Sequence, residues 1–189
     1  MKNLDLRVQK TYLALIQAFQ DLLEENELEE ISVTELCEKA MIRRPTFYKH
    51  FLDKYDFLTF FIKEKMTQIF DKALKELEKT EENESHFFVL VFEQLLDQPD
   101  NILSLIFRLQ MSSDIMIELK AVQEYGQKML KEQLKDDETH VKSAIKEEYQ
   151  AQIIMGITIQ TVHWYKDHQE KVSREEVSQL YKESLEKLT

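Results

Sequence analysis

The chain contains only two glycines and two prolines among its 189 residues. Because sheet proteins need turn-forming residues every few positions, this scarcity disfavours β structure. Glu, Lys, Leu and Gln, which are good helix formers, dominate instead. Hydrophobic residues make up 43% of the chain, enough for a substantial core. The sequence therefore predicts an all-α protein, and the apolar periodicity along it indicates about nine helices.

The apolar runs and the cysteine content indicate where in the cell the protein is expected. The longest apolar runs, residues 87–92 and 153–159, are much shorter than a membrane span. The first ten residues, MKNLDLRVQK, lack the apolar block of a secretory signal. A cytoplasmic protein without a membrane partner is therefore expected. Cys37 is the single cysteine, which excludes an internal disulfide, and its apolar neighbours predict a small buried side chain. A redox switch is the alternative interpretation.

The charge of the chain is distributed unevenly. The net charge is −11, which by itself opposes binding to nucleic acid. Residues 41–54, however, carry four basic side chains against one acidic side chain. The negative excess lies elsewhere, on surfaces that need not approach phosphate, where it would keep non-specific affinity for DNA low.

Two short amphipathic segments lie between residues 28 and 61. The first has an apolar stripe of Val33, Leu36 and Ala40, and the second has one of Ile42, Phe47 and Phe51. Neither segment is long enough to be stable alone in water, so each must pack against a longer helix. A short helix pair with a cationic outer face is suited to placing a recognition helix in the DNA major groove.

The remaining pattern predicts longer helices separated by polar breaks. Ser32 or Thr34 can cap the second helix, and Ser173 with Glu176 forms a capping-box pattern before the last one. Apart from the short pair, the predicted helices span residues 4–26, 53–79, 87–96, 102–109, 115–134, 141–167 and 173–188.

Residues 31–61 resemble the DNA-binding region of the TetR/AcrR family of bacterial transcription regulators. The family pattern is roughly T-V-x-x-I-A-x-x-A-G-V-S-x-G-T-F-Y-x-H-F-x-x-K-x-x-L, and this chain has S-V-T-E-L-C-E-K-A-M-I-R-R-P-T-F-Y-K-H-F-L-D-K-Y-D-F-L. The late helix containing Trp164, followed by one more helix, looks like Firmicutes-type members. The resemblance implies a three-helix helix-turn-helix domain at residues 1–52. It also implies a larger helical domain for ligand sensing and dimerisation at residues 53–189.

The resemblance assigns expected roles at the DNA surface. Thr34, Tyr48 and Lys54 would contact phosphate, while Arg44, Thr46 and Lys49 would face the major groove, where arginine can read guanine. A solvated basic face on an ordinary helix pair is the alternative interpretation. The expected DNA-binding residues are Thr34, Arg43, Arg44, Thr46, Tyr48, Lys49, His50 and Lys54.

Three positions depart from the family pattern. Met41 replaces a glycine at a turn that can require a positive φ. Arg43 replaces a capping Ser or Asn, although arginine cannot accept hydrogen bonds. Pro45 favours extended backbone at Arg44, which predicts a recognition helix that begins at Pro45 and is capped by Arg44. Which of the two arginines reads bases is left open.

The resemblance also implies a homodimer on a palindromic operator, with the interface on the last two helices. Gly156 would let a partner helix approach closely. The alternative is that these stripes pack only within the monomer. The expected interface residues are Ile153, Gly156, Ile157, Gln160, Thr161, Trp164, Val177, Leu180, Tyr181, Leu185 and Leu188.

The middle helices supply adaptable apolar surface that could enclose a small, largely apolar effector. An ordinary filled core is the alternative for each residue taken singly. The expected pocket residues are Phe88, Phe92, Leu103, Phe107, Arg108, Met111, Met116, Tyr125, Met129 and His163.

No enzyme motif is visible: the chain lacks HExxH, a glycine-rich phosphate loop and a nucleophile motif, and no cofactor or metal is expected. The sequence therefore predicts a sequence-specific DNA-binding transcriptional regulator that binds double-stranded DNA, with repression relieved by an effector. A helical protein–protein adaptor and a ligand-independent DNA-binding protein are the alternatives. The operator, the effector, the direction of regulation and the target genes are not encoded in any pattern found.

Overall fold

The computed structural model describes residues 5–79, 85–110 and 140–187. These ranges contain eight helices and no strand, which confirms the predicted all-α class. The predicted helix at 115–134 lies outside the described residues. The helices are α1 (Leu6–Leu23), α2 (Val33–Lys39), α3 (Arg44–Tyr48), α4 (Lys54–Leu77), α5 (Ser85–Leu96), α6 (Asp100–Gln110), α7 (His140–His168) and α8 (Arg174–Glu186).

The chain divides into two compact units, Met1–Ile62 and Lys63–Thr189, and the boundary falls within α4. The division at residues 52 and 53 that the family resemblance implies stays a prediction. No helix in the described ranges combines the length and the apolar character needed to cross a bilayer.

Aromatic side chains form the core of the first unit. The rings of Phe19, Phe47, Phe57 and Phe61 are fully buried. Phe19 meets Phe57 edge to face with ring centroids 5.3 Å apart, and Phe47 lies 6.0 Å from Phe57. Edge-to-face contacts of this kind add to the free energy gained by burial. The short α3 is therefore held to α4 through the ring of Phe47.

The first turn of α2 is closed by the capping box that the sequence predicts. The Ser32 hydroxyl accepts a hydrogen bond from the Glu35 backbone N–H at 3.2 Å. The Glu35 carboxylate in return accepts from the Ser32 backbone N–H at 2.9 Å. These hydrogen bonds lower the pKa of the Glu35 carboxyl group. Ser32, and not Thr34, is the cap, so two donors at the helix start are satisfied locally.

The last turn of α2 ends in a Schellman motif centred on Met41. The Met41 N–H donates to the Glu38 carbonyl at 3.1 Å, and the Ile42 N–H donates to the Cys37 carbonyl at 3.0 Å. This hydrogen-bond pattern requires a left-handed residue after the helix cap. Met41 has a φ of 54°, as its position in the family pattern suggested.

Replacing Met41 with glycine is expected to raise the free energy of unfolding by about 0.5–1 kcal/mol, because glycine adopts positive φ without steric strain. The Met41 side chain is 92% exposed, so little packing is lost. Chemical denaturation measures the change. Met41→Ala is the matched control, since alanine retains the Cβ and should bring no gain. Equal stabilisation by both changes would contradict strain at this φ.

The helix α3 begins one residue earlier than predicted. Arg43, with φ −81° and ψ 139°, is the N-cap, and Arg44 is the first helical residue. The Arg43 carbonyl accepts from the Thr46 N–H at 2.8 Å and from the Phe47 N–H at 3.3 Å. These bonds close the first turn with Arg44 inside it, despite the extended preference of a residue that precedes proline. Pro45 lies in the first turn, where its missing N–H removes no helical hydrogen bond.

In the second unit, α8 packs against α5 and α7 through the Tyr181 side chain. Its ring stacks on Phe92 with centroids 4.3 Å apart. The Tyr181 hydroxyl lies 2.5 Å from Thr158 Oγ1. The Thr158 hydroxyl donates its own proton to the Ile154 carbonyl at 2.7 Å. Tyr181 is therefore the donor in the shared bond. Burial raises the pKa of the Tyr181 hydroxyl, so it stays protonated in the folded protein.

A cluster of charged groups holds the start of α8 to α5. The Arg174 guanidinium donates to Glu93 Oε2 at 2.8 Å and to Asp97 Oδ1 at 2.7 Å. The same guanidinium donates to the Glu93 backbone carbonyl at 3.2 Å. These partners raise the pKa of Arg174. The cluster fixes which face of α8 turns toward the core of this unit.

Candidate nucleic-acid interface

The α2–α3 pair has a buried apolar side and an exposed polar side. Leu36 and Phe47 are fully buried, whereas Arg43, Arg44 and Lys49 are exposed. Thr34 is also exposed, and Thr46 is half-buried. The apolar residues that fold the pair therefore leave its basic residues in solvent, where a polyanion can reach them.

The two neighbouring arginines differ in their surroundings. The Arg44 guanidinium lies over the Tyr48 ring, 5.9 Å from its centroid. Tyr48 is 48% exposed. The Arg43 side chain has no partner within the part of the chain that the structure describes. Arg44 is thus directed toward a ring on its own helix, while Arg43 is free to form new hydrogen bonds.

A shallow groove between α1 and α3 brings further residues to this surface. Arg7 and Thr11 of α1 line it together with Thr46, Lys49 and His50. Arg7 is exposed. Sequence reasoning missed Arg7 and Thr11, because the short motif gives no information about which face of α1 lies beside α3. The basic residues Arg7 and Lys49 widen the cationic surface beyond the motif.

His50 is half-buried and packs against a ring of α1. Its ring meets Tyr12 edge to face at 5.3 Å, and the Tyr12 hydroxyl lies 3.4 Å from His50 Nδ1. Burial raises the pKa of the Tyr12 hydroxyl. The geometry gives His50 a packing role between α1 and α3, beside the groove.

Lys54 occupies a different position from the phosphate contact that the resemblance implies. Its ammonium donates to the backbone carbonyls of Leu28 at 3.0 Å, Glu29 at 2.9 Å and Ile31 at 2.9 Å. An ammonium group has three protons, and each has an acceptor here. Lys54 therefore has no proton left for a phosphate unless one of these bonds breaks.

Cys37 is buried as predicted, with 1% of its surface exposed. Burial raises the pKa of its thiol, and the charge of Arg44 opposes that effect. The thiol form that results is a poor nucleophile. The structure thus supports a packing role for Cys37.

The expected pocket residues separate into four groups. Leu103, Phe107 and His163 line a cavity of about 190 Å³ between α6 and α7. Phe92 is fully buried against Tyr181 and does not line this cavity, so its assignment to the pocket is corrected to the core. Phe88 packs on Phe87, with ring centroids 5.5 Å apart. The side chains of Arg108, Met111, Met116, Tyr125 and Met129 lie outside the description.

The cavity combines apolar walls with charged groups at one end. The Phe107 and His163 rings stack with centroids 4.3 Å apart. His163 Nε2 lies 3.7 Å from Asp167 Oδ2, and Lys166 Nζ lies 2.9 Å from Asp100 Oδ1. Asp100, Lys166 and Asp167 also line the cavity. The arrangement suits a small molecule with an aromatic or apolar body and a polar end.

The expected dimer residues on α8 need correction. Val177, Tyr181 and Leu185 are buried inside the second unit, with at most 1% of their surface exposed. They cannot contact a partner because α5 and α7 already cover them. Leu180, on another face of α8, is 52% exposed, and Leu188 lies outside the described residues.

The expected stripe on α7 remains accessible. Ile153 is 36% exposed and Trp164 is 41% exposed, and Gln160 between them is also exposed. Gly156 and Ile157 are half-buried, as is Thr161. A Cβ built on Gly156 would meet no atom of the described residues within 4 Å, so packing against them does not require glycine there.

The geometry defines a helix-turn-helix protein whose short α3 is exposed and cationic on one side, together with a second helical unit. No family model matches the chain. Over 89 residues it is 35% identical to an uncharacterised HTH-type transcriptional regulator, YxbF, of Bacillus subtilis, a match that covers 41% of this chain and 23% of that protein. Over 111 residues it is 26% identical to the dhaKLM operon transcriptional activator DhaS of Lactococcus lactis, covering 47% of this chain and 59% of that protein. The matches thus span less than two thirds of the length of each of these relatives.

Solved structures match over nearly the whole chain. The transcriptional regulator FadR of Bacillus subtilis, in complex with stearoyl-CoA, superposes with a TM-score of 0.61 at 20% identity, covering 94% of this chain and 97% of that one. The TetR-like regulator LfrR of Mycobacterium smegmatis, in complex with proflavine, gives a TM-score of 0.55 at 12% identity, covering 97% and 98%. At such identities the likeness establishes the fold, which is that of the TetR-like transcriptional regulators.

Proposed function

We propose that this protein is a sequence-specific DNA-binding transcriptional regulator that contacts duplex DNA through α3 and the flanking groove. The supporting observation is the α2–α3 pair itself, in which buried aromatic residues present Arg43, Arg44 and Lys49 to solvent. The partial matches to HTH-type regulators point the same way. Lys and Tyr side chains position such a protein on phosphate, and arginine reads base edges.

Changing Tyr48 to phenylalanine and Lys49 to methionine is expected to weaken DNA binding by about tenfold to a hundredfold, because phosphate contacts are lost. Both side chains are exposed, so the fold should survive. A gel-shift titration on a duplex enriched from a random pool measures the effect, with circular dichroism as the check on folding. Lys63→Met, an exposed lysine of the second unit, is the control. Undiminished binding by the double variant would place the DNA contact on another surface.

We infer a homodimer that pairs through the exposed stripe of α7 together with Leu180. Ile153, Gly156 and Trp164 carry this inference, since they are accessible and lie on one helix face. The buried residues of α8 are not part of the interface. Gly156→Leu should produce monomers in analytical ultracentrifugation, whereas Gly156→Ala should leave the dimer intact. A monomeric wild-type protein at the same concentration would refute the pairing.

We propose that the regulator is a repressor, released when a small and largely apolar molecule fills the cavity beside Phe107 and His163. A ligand that prefers one conformation of the protein shifts its equilibrium affinity for DNA. DhaS is described as an activator, so an operator–reporter assay must decide the direction of regulation. A thermal-shift screen of amphiphilic compounds tests the effector. Compounds that bind without changing the affinity for DNA would argue against a regulatory pocket.

A further inference from the structure

We propose that Lys54 is a positioning residue for DNA reading and not a phosphate contact. Its ammonium fixes the segment that enters α2 and so holds the α2–α3 pair in the orientation that base reading needs. This inference rests on the proposed function, because it assigns a role within the same DNA-binding unit.

The Lys54 ammonium is bound by three backbone carbonyls. Its acceptors are the carbonyls of Leu28, Glu29 and Ile31, at 2.9–3.0 Å. Each is a hydrogen bond from a charged donor, the stronger class of protein hydrogen bond. All three acceptors are backbone atoms of one short segment between α1 and α2. Lys54 therefore binds a stretch of main chain, and its protons are all used in doing so.

The position of that segment explains what the bonds control. The side chains of Leu28 and Ile31 are buried in the first unit, at 5% and 2% exposure. Ser32, the next residue, closes the capping box of α2 with Glu35. The segment held by Lys54 thus passes without interruption into the first turn of α2. A shift of the segment would shift the start of that helix.

The stem of Lys54 projects from an equally fixed turn. Asp53 Oδ1 accepts from the Tyr55 N–H at 2.8 Å and from the Asp56 N–H at 2.9 Å, which caps α4. Asp56 Oδ2 accepts in return from the Leu52 N–H at 2.8 Å. The lysine therefore joins the start of α4 to the start of α2, and both ends of the connection are constrained by their own hydrogen bonds.

The charges around the ammonium oppose a phosphate at this place. The connection preceding α2 carries exposed carboxylates at Glu24, Glu25, Glu27, Glu29 and Glu30. The charge of Lys54 contributes to lowering the pKa of Glu35, so this carboxylate also lies within its field. The negative charges of these carboxylates repel the phosphates of DNA at short range. The surface around Arg7, Arg43 and Lys49 has no such acidic run and is the better place for a DNA backbone.

Two substitutions at Lys54 separate positioning from phosphate contact. Lys54→Met removes the charge but keeps an unbranched stem. Lys54→Arg keeps the charge, but its planar guanidinium cannot place three protons on the same three carbonyls. Lys49→Met serves as the matched control, because the proposed function assigns this exposed lysine to phosphate and not to the major groove expected from the resemblance. For each full-length protein we would measure affinity for a pool-selected duplex and for a scrambled duplex, each across a salt series, with circular dichroism confirming the folded state.

If Lys54 positions the α2–α3 pair, both Lys54 variants should lose affinity for the selected duplex by about tenfold. This loss is similar to that caused by losing one base contact. Their salt slope should match that of the wild type, and the ratio of selected to scrambled affinity should fall. Lys49→Met should instead lower the slope by about one per half-site and leave the ratio unchanged.

Three results would overturn the inference. A lower salt slope for Lys54→Met, with full binding by Lys54→Arg, would make Lys54 a phosphate contact. Unchanged affinity and ratio in folded variants with a reduced melting temperature would make its role purely structural. A wild-type protein that enriches no duplex from the random pool would refute the proposed function itself, and the role of Lys54 in DNA reading would fall with it.

Discussion

Replacing Phe47 with alanine is expected to lower the free energy of unfolding of the first unit by about 3–5 kcal/mol, the usual cost of removing a buried phenyl ring. Phe47 is fully buried, and its ring lies 5.4 Å from Phe51 and 6.0 Å from Phe57. A cavity at this point would leave α3, five residues long, without its anchor. Because a domain of this size is only marginally stable, the loss is a large fraction of the total.

Urea denaturation followed by far-ultraviolet circular dichroism measures this loss. Leu52→Ala is the matched control, since Leu52 is 84% exposed and its removal should change stability little. Trp164 is the only tryptophan and belongs to the second unit, so its fluorescence follows that unit separately. Equal midpoints for the Phe47 and Leu52 variants would show that the aromatic core does not hold α3 in place.

The second large effect is expected from Arg43. Changing Arg43 to methionine should reduce affinity for the selected duplex by about 1–3 kcal/mol per half-site, the contribution of one bidentate base contact. Arg43 is the N-cap of α3 and has no side-chain partner in the described residues, and the N-terminal residues of a recognition helix are those that reach base edges. The guanidinium of Arg44 is already over the Tyr48 ring, so Arg44→Met should cost less.

Competition binding against duplexes that carry single base-pair changes distinguishes the two arginines. The Arg43 variant should lose discrimination at one position of each half-site, whereas the Arg44 variant should lose affinity evenly across sequences. If the Arg44 variant is the one that loses discrimination, the assignment is reversed. The experiment thereby decides a question that neither the motif nor its departures from the family pattern resolve.

Features governed by short-range chemistry were predictable from the sequence. Ser173 and Glu176 form the capping box that their spacing predicts, with Glu176 Oε2 accepting from the Ser173 N–H at 2.8 Å. Met41 adopts positive φ because the turn geometry demands it, whatever residue is present. In each case the interacting groups lie within a few residues of one another, so the pattern contains both partners.

Features that depend on distant partners were not predictable. The apolar stripe of α8 was expected to face a second copy, but α5 and α7 cover Val177 and Tyr181 within the monomer. Periodicity shows that a face is apolar and gives no information about what covers it. The contacts of Lys54 differ from the expected phosphate contact for the same reason, since its carbonyl acceptors lie 23 to 26 residues earlier in the chain. A family resemblance can supply a role for such a residue without supplying its contacts.

The acceptors that Lys54 binds are main-chain atoms, and this has a consequence for natural variation. Side chains in the segment from 28 to 31 do not supply these bonds, so an exposed one such as Glu29 can be exchanged while the carbonyls stay in place. Adding or deleting a single residue there would move the carbonyls out of register with the ammonium. Homologous regulators in which this lysine binds the same carbonyls should therefore vary at the exposed positions of this loop, keep apolar residues at the buried positions 28 and 31, and be uniform in its length.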